Sequence, residues 1–145
     1  MKIQKHDRYH GAALAQVVKH EAFKALNRAS TKFGHYLVNT DIHLFIRYLT
    51  SSSSPWQFCF EPEDVQMINE TMGNSQKVFL CLVCGDKTIC ALEAVQIQAV
   101  LDIKANSKQS VSVKVPNKGS CHVSGSNGSL DRTIPHDSFP SKLFD

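Results

Sequence analysis

Residues 77–90 read KVFLCLVCGDKTIC, and no other stretch restricts the fold as tightly. The run VFLCLVC has the length and content of a buried strand and is far too short to span a bilayer. Cys81 and Cys84 form a Cys-x-x-Cys-Gly pattern, which at a chain reversal can mark a metal knuckle. In an extended strand, however, side chains three apart face opposite sides. A tetrahedral site also needs two more ligands, and the sequence offers Cys90 and Cys121-His122 but no second Cys-x-x-Cys pair. A strand, a Gly85-Asp86 turn and a returning strand account for the segment more simply. A two-residue loop with glycine first suits a type II′ turn and sets Cys81 opposite Cys90, where Cα atoms lie ~4.5 Å apart. That spacing admits a strained disulfide, whereas in a reducing compartment the pair stays as two small buried thiols.

At 145 residues the chain has the size of one domain and can bury a core without staples. Five cysteines, an odd number where no disulfide is needed, point to a reducing, cytoplasmic setting with the thiols reduced. The start, MKIQKHDRYHG, is basic and has no apolar stretch behind it, so neither a signal peptide nor a membrane association is expected. Charge is uneven along the chain. Residues 1–50 hold eight Lys/Arg against three acids, residues 51–105 three against seven, and residues 106–145 five against three. A basic first third can meet phosphate or an acidic protein, or can be an ordinary solvated face.

Periodicity predicts a helix over residues 11–29, with Leu14, Val17, Val18 and Ala25 in one stripe. Strand alternation follows in Ile42, Leu44, Ile46 and Tyr48, and again in Trp56, Phe58 and Phe60. Residues 51–55, SSSSP, read as a flexible loop. Glu61 as cap and Pro62 at the first helical position open a second helix, with Gly73-Asn74 as its stop. A short helix is expected around residues 93–102, a strand with Val111, Val113 and Val115 inward, and a turn at Asn127-Gly128. The apolar tail 134–145 is expected to lie back on the body. The fold class is therefore α/β or α+β: a single domain, residues 1–145, with a mixed sheet and a central hairpin. An N-terminal helix and two shorter helices flank it.

Three polar residues stand out. On the helical wheel Glu21 falls about 20° from the first residue of the apolar stripe, near its middle, where an unpaired carboxylate is costly to bury. Asp41 and His43 share a strand face with Arg47, and Gln57 shares the non-aromatic face of its own strand with Cys59 and Glu61. A helix carrying an acid, then a strand aspartate, a third strand, a helix and a further strand resembles the restriction-endonuclease-like, or PD-(D/E)xK, fold. The resemblance implies that Glu21 stands for the helix acid and Asp41 for the strand aspartate. The acid-x-lysine dyad would fall at Gln57-x-Cys59, where neither an acid nor a lysine is present. By this likeness Glu21, Asp41 and Gln57 are the candidate catalytic residues, and Glu21 and Asp41 could hold a hard cation such as magnesium. Without the lysine no group remains to activate water, so the resemblance implies a degenerate core rather than a working nuclease.

Three functions are compatible with these features. The first is a nucleic-acid-associated protein with a degenerate nuclease-like core. The second is a protein-interaction or regulatory module, with a protein partner or a homo-oligomer and no catalysis. The third is a metal-dependent nuclease. The structural alternative for the acids is that Glu21 pairs with a basic side chain and that Asp41 belongs to the Asn39-Thr40 turn.

Overall fold

Seven consecutive apolar side chains cannot be hidden by a sheet covered on one face only, because alternate residues point to opposite sides. The computed structural model, which describes residues 1–30, 34–117 and 119–145, shows how both sides are covered. In chain order the elements are α1 (Lys5–Lys19), β1 (Leu26–Arg28), β2 (His35–Val38), β3 (Ile42–Leu49), β4 (Trp56–Phe60) and α2 (Pro62–Asn74). They continue with β5 (Val78–Cys84), β6 (Thr88–Glu93), α3 (Ala94–Val100), β7 (Gln109–Lys114), β8 (His122–Gly125) and β9 (Gly128–Ser129). Two short 3-10 helices, His136–Ser138 and Ser141–Phe144, close the chain.

The fold is α+β and uses two sheets. The larger has the order β1-β2-β3-β5-β6, with β3 and β5 parallel and the other pairs antiparallel. The smaller, β4-β7-β8-β9, is antiparallel throughout. Every residue of β5 is buried. Its Val78, Leu80, Leu82 and Cys84 enter one core with the β4 aromatics, α2, α3 and the inner face of the smaller sheet. Its Phe79, Cys81 and Val83 enter a second core with α1 and the tail residues Phe139 and Leu143.

The three helices start by the same device. The third helical side chain reaches back to the N-cap N–H: Asp7 to Gln4 and Asp64 to Glu61, both at 2.9 Å, and Gln96 to Glu93 at 3.0 Å. Each satisfies one donor that the first turn would otherwise leave open. α2 starts at Pro62 as expected and continues through Gly73 to Asn74.

Two expectations need correction. The first helix runs from Lys5 to Lys19, not over 11–29, and its buried face is Tyr9, His10, Ala13 and Val17. Val18 is half exposed, and Leu26–Arg28 is a strand. The reason lies in the turn that follows. Asn39 accepts from Lys24 N–H at 2.6 Å and Ala25 N–H at 3.1 Å and donates to Ala22 O at 2.8 Å, so residues 22–25 find backbone partners without helix.

The second correction is the register of the central hairpin. Its loop has three residues, Gly85, Asp86 and Lys87, because Cys84 pairs with Thr88. Gly85 takes φ +53°, donates to Leu49 O at 2.8 Å and sits where a Cβ would run into Ser51 O. Cys81 therefore faces Ala91, and Cys90 faces Leu82. A one-residue slip sends a side chain to the other side of the sheet. Cys81 lies in the α1 core and Cys90 in the other, which removes the Cys81–Cys90 pair.

Leu82 is fully buried, so Leu82→Ala should cost ~2–5 kcal/mol through lost burial and a residual cavity. Val95, 75% exposed on α3, should tolerate alanine with a change of ~0.5 kcal/mol or less. Urea unfolding of the two variants measures both; equal effects would show that the interior has been assigned to the wrong residues.

Candidate functional site

The three residues singled out in the sequence do not form one arrangement. Glu21 lies beyond the end of α1, exposed in a turn, so the buried-stripe placement does not hold. Asp41 is exposed in the β2–β3 turn, next to Asn39 (φ 56°) and Thr40 (φ 73°), and its carboxylate pairs with Lys77 Nζ at 2.9 Å. Gln57 is exposed on β4 opposite Ser112, in the other sheet. Asn39 ties the Glu21 turn to the Asp41 turn, while Gln57 stands apart from both. Arg47 pairs with Asp64 at 3.2 Å and donates to Cys59 O at 2.7 Å. Among the described residues no group of three His, Cys, Asp or Glu side chains is arranged to hold a metal ion.

His43, on the strand that follows Asp41, faces His35 across β2–β3 with Nδ1 and Nε2 3.0 Å apart. His35 is buried, stacks on Phe45 at 4.1 Å between centroids, and its Nδ1 has no partner among the described residues. Burial first, and then the neighbouring His43, lower its pKa to about 4. Burial alone lowers that of His43.

An open cleft of about 530 Å³ lies between α1 and the tip of the β5–β6 hairpin. α1 is held there by Tyr9, stacked on Tyr48 at 4.9 Å, and by His10, whose ring meets the edges of Tyr36 and Tyr48. Packing Tyr9 inward leaves Arg8 and Gln16 on the cleft wall. The hairpin tip supplies Asp86, Lys87 and Thr88 to the opposite wall, and His136 comes from the tail. Among the described residues neither Arg8 nor Lys87 is in an ion pair. Asp86 is the acidic residue of the lining.

Behind Thr88 and His136 lies a group of thiols that the sequence did not suggest. His136 Nε2 is 2.7 Å from Gly119 O; a carbonyl only accepts, so this nitrogen carries the proton. The unprotonated Nδ1 of the neutral ring then accepts from the Thr88 hydroxyl at 2.8 Å and faces Cys121 Sγ at 4.0 Å. Cys84, Cys90 and Cys121 share one core, with Cys90 beside Cys121. The neighbouring Cys90 thiol, helped by His136 and Thr88 and opposed by burial, lowers the Cys121 thiol to about 7. Cys121, burial and the surrounding sulfurs push Cys90 far upward. Lys142 closes the region, donating to Ala91 O at 2.8 Å and Gln96 Oε1 at 2.7 Å. The available hint was Cys121 itself. Its neighbour in sequence, His122, points outward, and the histidine it meets is fifteen positions on.

No protein-family model matches the chain, and no curated protein or solved structure matches it significantly. The chemistry of the cleft therefore stands on its residues alone.

The His35 shift makes a prediction with a definite sign. The unfolded chain binds a proton at about pH 6.5 that the folded protein excludes until about pH 4. Stability is therefore full above about pH 6.5 and falls as the pH drops toward 4. His35→Gln should flatten that dependence by about one proton. Urea midpoints between pH 7 and 4.5 measure it; an unchanged slope in the variant would remove His35 from the account.

Proposed function

We propose that the protein binds single-stranded nucleic acid, with the phosphate backbone lying in the cleft between α1 and the β5–β6 hairpin tip. The observation that carries this reading is the pair of opposed cations, Arg8 and Lys87, unpaired across an open cleft of about 530 Å³. A cation on each wall gives an anion a site from both sides, with Asp86 the one acidic side chain of the lining among the described residues, and an open groove admits a chain rather than a compact ligand. The net charge of +3, with its excess in residues 1–50, adds a steering field of the right sign.

The degenerate nuclease-like core belongs to this proposal as a core without cleavage. Glu21 and Asp41 stand on two turns joined through Asn39, and Asp41 is engaged by Lys77. Binding without strand cleavage is the activity assigned. The exposed apolar side chains Ile3 and Val18 on or beside α1 and Val95 on α3 lie on separate elements and favour no particular docking face.

Fluorescence anisotropy with end-labelled 12-nucleotide RNA and DNA at several salt concentrations tests the reading. Binding should weaken steeply with salt, and Arg8→Ala combined with Lys87→Ala should lower the logarithmic salt slope by about 1.4, two single-strand phosphate contacts. Lys104→Ala, on the loop between α3 and β7, should leave the slope unchanged. No binding at 50 mM salt, or an equal loss from Lys104→Ala, would sink the proposal. Magnesium-dependent strand cleavage abolished by Glu21→Ala and Asp41→Ala would replace it with the nuclease.

A further inference from the structure

The thiol group behind the cleft wall has a chemistry of its own, independent of anion binding. Cys90 reaches it from β6, Cys84 from β5, and Cys121 from the residue that enters β8 and bridges to Ile134. Three strands that are distant in sequence thus place three sulfurs in one core. Cys90 and Cys121 are neighbours in that core, and Cys121 also faces Nδ1 of His136 at 4.0 Å, beside the Thr88 hydroxyl. That nitrogen is aimed by the bond from Nε2 to Gly119 O, as a base is aimed at a nucleophilic thiol in cysteine–histidine pairs generally. Cys121 has no exposed surface, yet Thr88 and His136, which touch its sulfur, both line the cleft. Thr88 and His136 are thus the side chains that stand between the sulfur and the cleft.

We propose that Cys121 is a site of reversible oxidation by hydroperoxides, resolved by Cys90 as an intramolecular disulfide. In the first step the Thr88 hydroxyl turns its hydrogen from His136 Nδ1 to the Cys121 sulfur, Cys121 passes its proton to the Nδ1 so released, and the thiolate attacks one peroxide oxygen. The O–O bond breaks, Cys121 becomes the sulfenic acid, and the departing hydroxide takes the proton back from His136 as water. In the second step the Cys90 sulfur attacks the sulfenic sulfur. The S–S bond forms, the S–O bond breaks, and hydroxide leaves with the Cys90 proton as a second water. The two thiols lose two electrons and the peroxide gains them.

The arrangement also explains which cysteine starts. Cys121 is the one drawn toward the thiolate, to about 7. Cys84, at about 12, and Cys81 and Cys90, pushed higher still, stay protonated and do not start the reaction. The charged and titratable groups around the pair are His136, Cys84 and Lys142, with Glu93 beside Lys142. The exposed Cys59 lies on the other sheet and is removed as Cys59→Ser so that it does not compete.

Peptide mapping of the Cys59→Ser protein after hydrogen peroxide treatment, digested with trypsin without reductant, tests the proposal. The expected product is a disulfide between peptides 88–104 and 119–132, reversed by dithiothreitol. With Cys90→Ser added, Cys121 should accumulate as a sulfenic acid captured by dimedone. His136→Gln should slow Cys121 oxidation at pH 7 by about tenfold and move its pH midpoint upward, a change that a merely structural role would not produce. Circular dichroism and melting curves establish that each variant is folded; should His136→Gln not be, Thr88→Val provides the same rate comparison. Absence of the linked peptide in folded protein would overturn the assignment. So would a dominant link through peptide 78–87, which carries Cys81 and Cys84, or a rate indifferent to both cleft-wall substitutions.

Discussion

Burial of β5 on both faces is the constraint on which the rest of the structure depends. Alternation along a strand sends Phe79, Cys81 and Val83 one way and Leu80, Leu82 and Cys84 the other. Each set needs its own cover. α1 and the tail supply one; α2, α3 and the antiparallel sheet supply the other. The parallel pairing of β3 with β5 follows from the same need, since β4 and α2 must cross over between them to reach the second face.

The cleft and the thiol group are consequences of this layering. α1 can cover the sheet only by turning Tyr9, His10, Ala13 and Val17 inward, which leaves Arg8 and Gln16 on the side of the hairpin tip. The tail covers the same face: Phe139 and Leu143 are buried there, and Phe144 stacks on His20 at 4.4 Å. Its course carries His136 past Thr88 and Cys121. The cleft wall and the thiol cluster share Thr88 and His136 because the start of β6 and the first 3-10 helix meet there.

The parts of the fold that were legible in the sequence are those decided locally. α2 announced itself through Glu61, Pro62 and Asp64; the alternations in Trp56–Phe60 and Val111–Val113 gave their buried faces directly. Misreadings came where a distant group intervened. Asn39 ends the regular structure after α1 by taking up the backbone of residues 22–25, and nothing in residues 11–29 betrays that. Ser51 O and Leu49 O crowd and anchor Gly85, which lengthens the hairpin loop by one residue and exchanges the partners of Cys81 and Cys90. Glu21 looked buried only because the helix was drawn through it. Arg8 and Lys87 lie far apart in the chain, and no spacing rule links them.

What the sequence determined by itself was therefore α2, α3, the central hairpin and the alternating strands β3, β4 and β7, because hydrophobic periodicity and helix-start chemistry act within a few residues. The hairpin register, the true end of α1, the opposition of Arg8 and Lys87, and the meeting of Cys90 with Cys121 and His136 were decided by the tertiary structure alone. Each depends on a partner supplied from another layer, and a side chain carries no local record of what will be packed against it.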